Sequence, residues 1–480
     1  MAVGSNYDGD GERDENDEVH PDQERVDAQV DALVALQDPE VKQRYEAWIV
    51  DRRAVTDGPA EPGFRRVGVE LTPKLDENDN VSDERLLTVD REIIAPADSE
   101  GDLVSNGFIL VEHLCCELAR YRIPDGGGPR RLTVTEALRR VRGRGILASA
   151  NHAVMLGNTS KGGNSVEGST RTPPFVESSS APKGADQDAD APLVVVIDTG
   201  LDERSKVRKD RFLDDIEAEK RDLDPLDEVP PFGPRPFDQL DLAAGHGTFV
   251  AGVIRQVEPR AHVVMIRALD TEGIGGEDMI ATAICRARDV FEKHGGRGVL
   301  NLSLGIETID DLPPLAIECA LRELQPGVAV VAAAGNEPSR HPLWPAAHKR
   351  VLAVAGLCDD LSPTAWSNRG ASVDFSTRGE GIVSTFVGGT ETQRQDEPPA
   401  TTFPFGGQNH AYALWTGTSF ATPQVAAMIA GLIAKDPSTD VEEAVQDLRS
   451  DKEYRPGWGY VVPVLPPADP PLRCSRSRHS

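Results

Sequence analysis

Hydrophobic positions divide the chain into a sparse first part and a denser second part. From about residue 192 onward, apolar runs such as PLVVVI, AHVVMI, GVLNLSL and GVAVVAAAG alternate with helical stretches at 277–294, 314–324 and 420–434. Short apolar runs are typical of buried strands, and their alternation with helices is typical of a parallel sheet covered on both faces. We therefore predict an α/β fold with a mostly parallel central sheet, and we expect function at the carboxyl ends of its strands.

A smaller pattern of the same kind precedes residue 192. Apolar residues recur every three to four positions over 22–56, which predicts helix. Within 104–156, NGFILVE predicts a strand, HLCCELARYR a helix, TVTEALRRVR a second helix opened by Thr133 or Thr135, and GILASANHAVML a long strand or a strand pair. This block predicts a small α/β module.

The chain therefore divides into predicted segments, which differ in composition and periodicity. They are an acidic disordered tail (1–25), a helical and irregular N-terminal region (26–103), the small α/β module (104–156), a Gly/Ser/Pro-rich linker (157–191), the large α/β region (192–463) and a C-terminal tail (464–480).

The net charge of −28 argues against nucleic acid or an anionic membrane as a partner, because both require a basic surface. No apolar run approaches the roughly 18 residues needed to span a bilayer, and the N-terminus lacks the pattern of a signal peptide. We expect a cytoplasmic location by default, with export by another route left open.

Six cysteines are scattered along the chain, at Cys115, Cys116, Cys285, Cys319, Cys358 and Cys474. None forms a CxxC pair, and a chain of this length does not need covalent staples. We predict that they are mostly reduced thiols in the core.

Three apolar segments end in residues that can carry chemistry. Asp198 follows LVVVI, His246 lies between two glycines, and Asn336 follows VAVVAAAG. A carboxylate at a strand end can orient another group, imidazole suits proton transfer near neutral pH, and an amide can donate to a developing oxyanion. Taken alone, each is more often a turn residue or a buried structural residue than a catalytic one.

A fourth candidate, Ser419 in GTSFATPQVA, lies where a helix is predicted to begin, and serine is common there as a cap. Together the candidates follow the order Asp, His, Asn, Ser. Serine attack on an amide needs a base, an acid that holds the base and an oxyanion donor. Asp-Thr-Gly is also the signature of aspartic peptidases, but the sequence has no second such motif, so that alternative would require a dimer.

The blocks VIDTG, GHGTFVAG, NLSLG, AAAGNE and GTSFATPQVA resemble, in this order, the signature blocks of the subtilisin-like serine peptidases, or subtilases. The resemblance covers about 192–463 and implies a three-layer subtilisin-like fold and a serine endopeptidase acting on protein or peptide substrates. It implies Asp198 as the orienting acid, His246 as the general base and acid, Ser419 as the nucleophile and Asn336 as the oxyanion donor. No cofactor is implied for the chemistry, and structural calcium is compatible with the many loop carboxylates but cannot be assigned to ligands.

The resemblance also implies the residues that bind substrate. Two walls of the pocket for the residue before the scissile bond would be lined by Ser303, Leu304, Gly305, Ala333, Ala334 and Gly335. An edge segment, Gly273, Ile274 and Gly275, would pair with the substrate backbone. Small residues on both walls predict an open, mostly apolar pocket.

Several features depart from the family pattern. Gln424 stands where most subtilases have histidine, which predicts a change in packing. Inserts at about 203–241 and 387–411 can shape or cover the cleft.

The block at 104–156 resembles the small prodomain that many subtilases carry as an intramolecular chaperone and inhibitor. We predict that ASANHAVML is its last strand and that cleavage in the following linker releases the mature enzyme, so that the chain is an autoprocessed precursor. A permanent accessory domain is the alternative. For the whole protein, the alternative from another class is a catalytically silent binding or regulatory protein on the same scaffold.

Overall fold

The structure is a computed structural model that describes residues 20–54, 64–76, 78–124, 132–156, 191–203, 213, 215–227, 239–391, 402–403, 412–436 and 438–475. The helices in these residues are α1 (Gln23–Ala35), α2 (Pro39–Ala54), α3 (Glu100–Ser105), α4 (Val134–Arg142), α5 (His246–Val257), α6 (Glu277–Lys293), α7 (Leu315–Arg322), α8 (Thr418–Lys435) and α9 (Val441–Arg449). None of the helices in the described part of the chain is long and apolar enough to cross a membrane.

The strands fall into two groups along the chain. The first group is β1 (Val69–Leu75), β2 (Val81–Pro96), β3 (Ile109–His113), β4 (Leu118–Arg122) and β5 (Ser149–Met155). The second group is β6 (Leu193–Asp198), β7 (Glu217–Ala218), β8 (Gln239–Leu240), β9 (His262–Arg267), β10 (Ile274–Gly276), β11 (Gly298–Leu302), β12 (Val328–Ala333), β13 (Val351–Leu357), β14 (Val373–Arg378), β15 (Ile382–Thr385), β16 (Gly389–Glu391), β17 (Thr402–Phe403), β18 (Tyr412–Trp415), β19 (Tyr454–Arg455) and β20 (Gly459–Val461).

Nine strands of the second group form the central sheet, in the order β19-β20-β14-β13-β12-β11-β6-β9-β7 among the described residues. All neighbouring pairs are parallel except β19 with β20. One face of the sheet packs against α5 and α8, and the other packs against α6 and α7. The predicted three-layer fold with a mostly parallel sheet is confirmed. The uninterrupted apolar runs are explained by burial on both faces, as in Leu193–Asp198, where every residue is buried.

The N-terminal module forms a second sheet, in the order β10-β5-β2-β4-β3, with β1 also paired to β2. Strand β10 belongs to the large α/β region, so this sheet continues from one region into the other. The module has helices and strands as predicted, and Thr133 caps α4 by accepting a hydrogen bond from the Glu136 amide. Its sheet includes Val69–Leu75 and Val81–Pro96, which lie before the predicted boundary at 104.

The predicted helix HLCCELARYR is wrong. Cys116 and Glu117 have φ angles of 61° and 55°, which form a left-handed turn. The chain then continues as β4, paired on both sides by β2 and β3. Cross-strand pairing therefore outweighs local helix propensity in this segment.

Both ends of the described chain pack on the large α/β region. Helix α1 starts at Gln23 and buries Val26 and Val30 in a cluster with Trp366 and Leu472. Gln23 and Leu472 are also buried, so the predicted tails at 1–25 and 464–480 contain packed residues. Residues 1–19, all but Ala191 of the linker 157–191 and much of the inserts at 203–241 and 387–411 lie outside the described residues.

The prediction of mostly reduced cysteines is wrong for four of the six. Disulfides join Cys115 to Cys285 and Cys358 to Cys474, across 170 and 116 positions of sequence. Such partners meet only in the folded chain, so spacing along the sequence does not reveal them. Disulfides are rare in reducing cytosol, and the cytoplasmic location stays a prediction.

Candidate active site

The carboxyl end of β6 and the first turn of α5 bring Asp198 and His246 together. Asp198 is the last residue of β6 and His246 the first of α5. His246 Nδ1 lies 2.8 Å from Asp198 Oδ1 and 3.0 Å from Oδ2, and both side chains are almost fully buried. The Thr199 amide donates to Asp198 Oδ1 at 2.7 Å. The carboxylate is therefore fixed, and it fixes the imidazole, leaving Nε2 as the ring nitrogen available for proton transfer.

Two glycines allow α5 to start so close to the end of β6. Gly245 has a φ of 81°, a left-handed conformation. A Cβ on Gly247 would lie 2.3 Å from the carbonyl oxygen of Gly200. The motif GHG is thus explained by close backbone contact as well as by the histidine it contains.

Asp224 connects the turn after β6 with the residue that precedes α5, and the sequence analysis did not identify it. Its Oδ2 accepts hydrogen bonds from Thr199 Oγ1 at 3.1 Å and from the Gly245 amide at 2.8 Å. Burial raises the pKa of Asp224 to about 6, although these donors and Arg267 oppose the rise. The residue lies in the insert at 203–241, where its many acidic neighbours gave no signal that would single it out.

Ser419 is the second residue of α8, directly beside the aromatic side chain that packs on the imidazole. The His246 ring lies 5.3 Å from the Phe420 ring and 5.4 Å from the Trp415 ring, measured between centroids. Ser419 Oγ donates to the Ser303 carbonyl at 3.2 Å, and Ser303 Oγ donates to the Ser419 carbonyl at 2.9 Å. The start of α8 and the end of β11 are therefore locked together beside His246. Hydrogen bonds between nucleophile and base commonly tighten only when substrate binds.

Asn336 follows β12 and faces the start of α8. Its Oδ1 accepts hydrogen bonds from the Thr418 amide at 2.9 Å and from Thr418 Oγ1 at 2.8 Å. With the amide oxygen held in this way, the Nδ2 donor is directed away from Thr418. A donor fixed beside the nucleophile is suited to stabilising an oxyanion.

The predicted edge segment is occupied by the chain's own N-terminal module. Strand β5 pairs antiparallel with β10, placing Met155 opposite Ile274 and Val154 opposite Gly275. The Leu156 amide donates to the Gly273 carbonyl at 2.9 Å. On the other side, Met155 exchanges two backbone hydrogen bonds of 3.1 and 3.2 Å with Gly305. An extended peptide thus lies between both backbone segments predicted to bind substrate.

Next to this peptide lies a cavity of about 100 Å³ that Ser419 and Asn336 line. Of the predicted pocket residues, Leu304, Gly305, Ala333 and Gly335 line it. Ser303 and Ala334 do not line it; Ser303 Oγ donates to the Ser419 carbonyl, and the Ala334 amide donates to the Val354 carbonyl. Apolar residues form part of the lining, and four charged residues that the sequence analysis did not identify also line the cavity: Lys42, Glu46, Glu307 and Glu337.

Gln424 is a buried side chain that holds the neighbouring backbone together. Its Nε2 donates to the carbonyls of Arg378 and Phe420 at 2.9 and 2.8 Å, and the side chain is fully buried. In the described part of the chain, two groups of neighbouring side chains have metal-ligating atom types, but each contains a disulfide, Cys115–Cys285 beside Cys116 and Cys358–Cys474 beside Glu380, and disulfide sulfurs are not thiolate ligands. Neither is the oxygen-rich set that calcium requires, so calcium stays unassigned.

A parallel α/β sheet that carries an Asp–His pair, an asparagine and a helix-start serine in this chain order defines the subtilisin-like class. The chain belongs to the subtilase family: the family model described as "Subtilase family" matches residues 189–453, which is more than half of the 480 residues.

Several proteins are similar to this chain. A thermophilic serine proteinase from Bacillus sp. (strain AK1) is 30% identical over 259 residues, covering 52% of this chain and 53% of that protein. Thermitase from Thermoactinomyces vulgaris is 30% identical over 215 residues, covering 42% and 66%. Fervidolysin from Fervidobacterium pennivorans, described as a keratinolytic enzyme related to subtilisin, matches in fold with a TM-score of 0.51 and 18% identity, covering 85% of this chain and 64% of that one. The chain thus spans about half of the Bacillus relative and somewhat under two thirds of thermitase and fervidolysin.

Proposed function

We propose that this protein is a serine endopeptidase. The observation that carries the proposal is the Asp198–His246 pair at 2.8 Å, whose imidazole packs against Phe420, the residue that directly follows Ser419. His246 takes the hydroxyl proton of Ser419 as Ser419 Oγ attacks the scissile carbonyl, and His246 then donates that proton to the leaving amine. Water hydrolyses the acyl-enzyme with His246 again acting as the base.

Oxyanion stabilisation in this proposal comes from two directions. The Nδ2 group of Asn336 donates from one side, while the backbone amide of Ser419 donates from the first turn of α8. The helix N-terminus adds a favourable field for negative charge. Backbone pairing with Gly273–Gly276 and Gly305 would hold the substrate in register, and such pairing tolerates many sequences.

A fluorophosphonate probe tests the nucleophile directly, because it reacts with serines that an adjacent base activates. The protein is labelled after its N-terminal region has been cut off within 157–190 and the Cys115–Cys285 disulfide has been reduced. We expect this wild-type protein to be labelled at one peptide, the one that contains Ser419, as mapped by mass spectrometry. The variant Ser450→Ala, which removes an exposed serine of the peptidase region directly after α9, should be labelled to the same extent. Absence of labelling in the wild type would support the catalytically silent scaffold instead.

We also propose that the N-terminal region is an inhibitory prosegment removed by the protein itself. The support is that β5 fills the groove up to Leu156, and that Leu156 and Ser419 line one cavity. His152 of β5 is also hydrogen-bonded to Glu277 at 2.8 Å, with both side chains buried. Because Leu156 and Ser419 line the same cavity, a peptide bond close to Leu156 is the one that Ser419 would cut.

This proposal predicts a new N-terminus within a few residues after Leu156. The fragment containing Cys115 should stay attached to the peptidase region through the disulfide with Cys285. Processed protein should therefore migrate as one species on a denaturing gel without reductant and as two with a dithiol reductant. N-terminal sequencing of the larger species locates the cut.

The control variants must also prevent neighbouring thiols from forming another disulfide between the two fragments. Cys116 Sγ lies 4.0 Å from Cys285 Sγ, and Cys319 Sγ lies 3.6 Å from the Cys116 carbonyl oxygen. We therefore compare the double variant Cys285→Ser/Cys319→Ser, which should separate without reductant, with Cys319→Ser alone, which should not. A fully active protein that remains one uncut polypeptide would contradict autoprocessing and favour a permanent accessory domain.

A further inference from the structure

The cavity beside Ser419 carries an uneven distribution of charge. Among the described residues that line it, the large α/β region contributes Glu307 and Glu337 but no lysine, arginine or histidine. Its other lining residues there are apolar, glycine or neutral polar. Glu337 directly follows Asn336, so one of the two carboxylates is placed within a residue of the proposed oxyanion donor.

A cation from the N-terminal region is seated between these carboxylates. Lys42 of α2 places its Nζ 2.8 Å from Glu337 Oε2 and 3.5 Å from Glu307 Oε2. Lys42, Tyr45 and Glu46 of α2 all line the same cavity. A lysine that enters from outside the peptidase region and places its ammonium on two carboxylates of that region has the charge of a basic substrate side chain.

The titration behaviour of the cluster agrees with this geometry. Burial lowers the pKa of Lys42, but Glu337 and Glu307 outweigh it, and the pKa lies above the ordinary value. Burial raises the pKa of Glu337, and Lys42 opposes that rise. Each charge therefore stabilises the other in the cavity, and departure of α2 removes the cation from both carboxylates.

We infer that Glu307 and Glu337 form an acidic subsite that selects a lysine or arginine side chain of the substrate, and that Lys42 occupies this subsite in the precursor. The inference rests on the proposed peptidase function and names its substrate class: proteins or peptides with a basic residue on the amino-terminal side of the scissile bond. The apolar walls hold the stem of that side chain, and the carboxylates bind its charged end.

The test uses two peptides that differ only in lysine against norleucine, which has a similar stem without charge. The variable position is first located by mass spectrometry of a cleaved peptide library. With cleaved, reduced wild-type protein we expect kcat/KM to favour lysine by about five- to tenfold, the scale of a partly exposed pair with two carboxylates. The preference should fall as salt is raised.

The double variant Glu307→Gln/Glu337→Gln should lose the preference, so that the ratio of kcat/KM for the lysine peptide to kcat/KM for the norleucine peptide falls to about one. Glu318→Gln, which removes a carboxylate on α7 that is paired with Arg322, is the matched control and should behave as the wild type. Two results would overturn the subsite but leave the peptidase function standing. One is that the wild type cleaves both peptides without preferring lysine, and the other is that the preference survives in the double variant. Failure to cleave either peptide would count against the peptidase function itself.

Discussion

Replacement of Ser419 by alanine is expected to lower kcat for peptide hydrolysis by about a millionfold, the loss that removal of the nucleophile causes in subtilisin. The alanine variant retains the Asp198–His246 pair and Asn336, but it has no hydroxyl group from which an acyl-enzyme can form. The residual rate would come from substrate binding and oxyanion stabilisation alone. The measurement is release of labelled fragments from casein under single-turnover and steady-state conditions.

An uncut prosegment would also suppress activity, so the Ser419→Ala experiment must separate the two causes. We would place a recognition site for an unrelated protease in the segment 157–190 of the full chain, in both the wild type and the variant. Cleavage by that protease, followed by reduction of the Cys115–Cys285 disulfide, then releases the peptidase region in both. Casein hydrolysis by the released variant at more than about a thousandth of the wild-type rate would exclude Ser419 as the nucleophile.

The chemistry of the site could be predicted from sequence because each candidate ends or begins a regular element. Asp198 ends an apolar run and Ser419 begins a helix-like one, so the backbone geometry and the motif point to the same place. Glycines around His246 gave a further signal. A side chain at position 247 would not fit, because its Cβ would lie 2.3 Å from the carbonyl oxygen of Gly200. Local rules are sufficient when a side chain is placed by its own strand or helix terminus.

Features that depend on distant partners could not be predicted. Asp224 joins Thr199 and Gly245 from within a segment rich in aspartate, and Lys42 reaches Glu337 across 295 positions. The segment around Cys115 and Cys116 is the turn of a hairpin, because β4 pairs with β3 on one side and with β2 on the other. Cys115 forms a disulfide with a residue 170 positions away. In each case the deciding contact is formed by tertiary packing, about which periodicity carries no information.

Replacement of Asp198 by asparagine is expected to lower kcat/KM by about 10⁴-fold, the scale of losing the orienting carboxylate in a Ser-His-Asp triad. In the wild type, His246 Nδ1 donates to the carboxylate at 2.8 Å, so Nε2 is free to accept the Ser419 proton. An asparagine amide can instead donate to Nδ1, which moves the imidazole hydrogen to Nε2 and removes the base. The Thr199 amide still has an acceptor in the variant, so the fold of the loop should persist.

Two readouts distinguish this effect from a loss of structure. The thermal midpoint of Asp198→Asn should stay close to that of the wild type, while its fluorophosphonate labelling rate falls along with kcat/KM. The matched control is Asp374→Asn, which neutralises a partly buried aspartate on β14 that accepts from the Ala353 amide and pairs with Arg449. That variant can lose stability but should keep its labelling rate when folded. Activity of Asp198→Asn within tenfold of the wild type would mean that the carboxylate only supports the loop, because a base fixed in the wrong tautomer cannot sustain that rate.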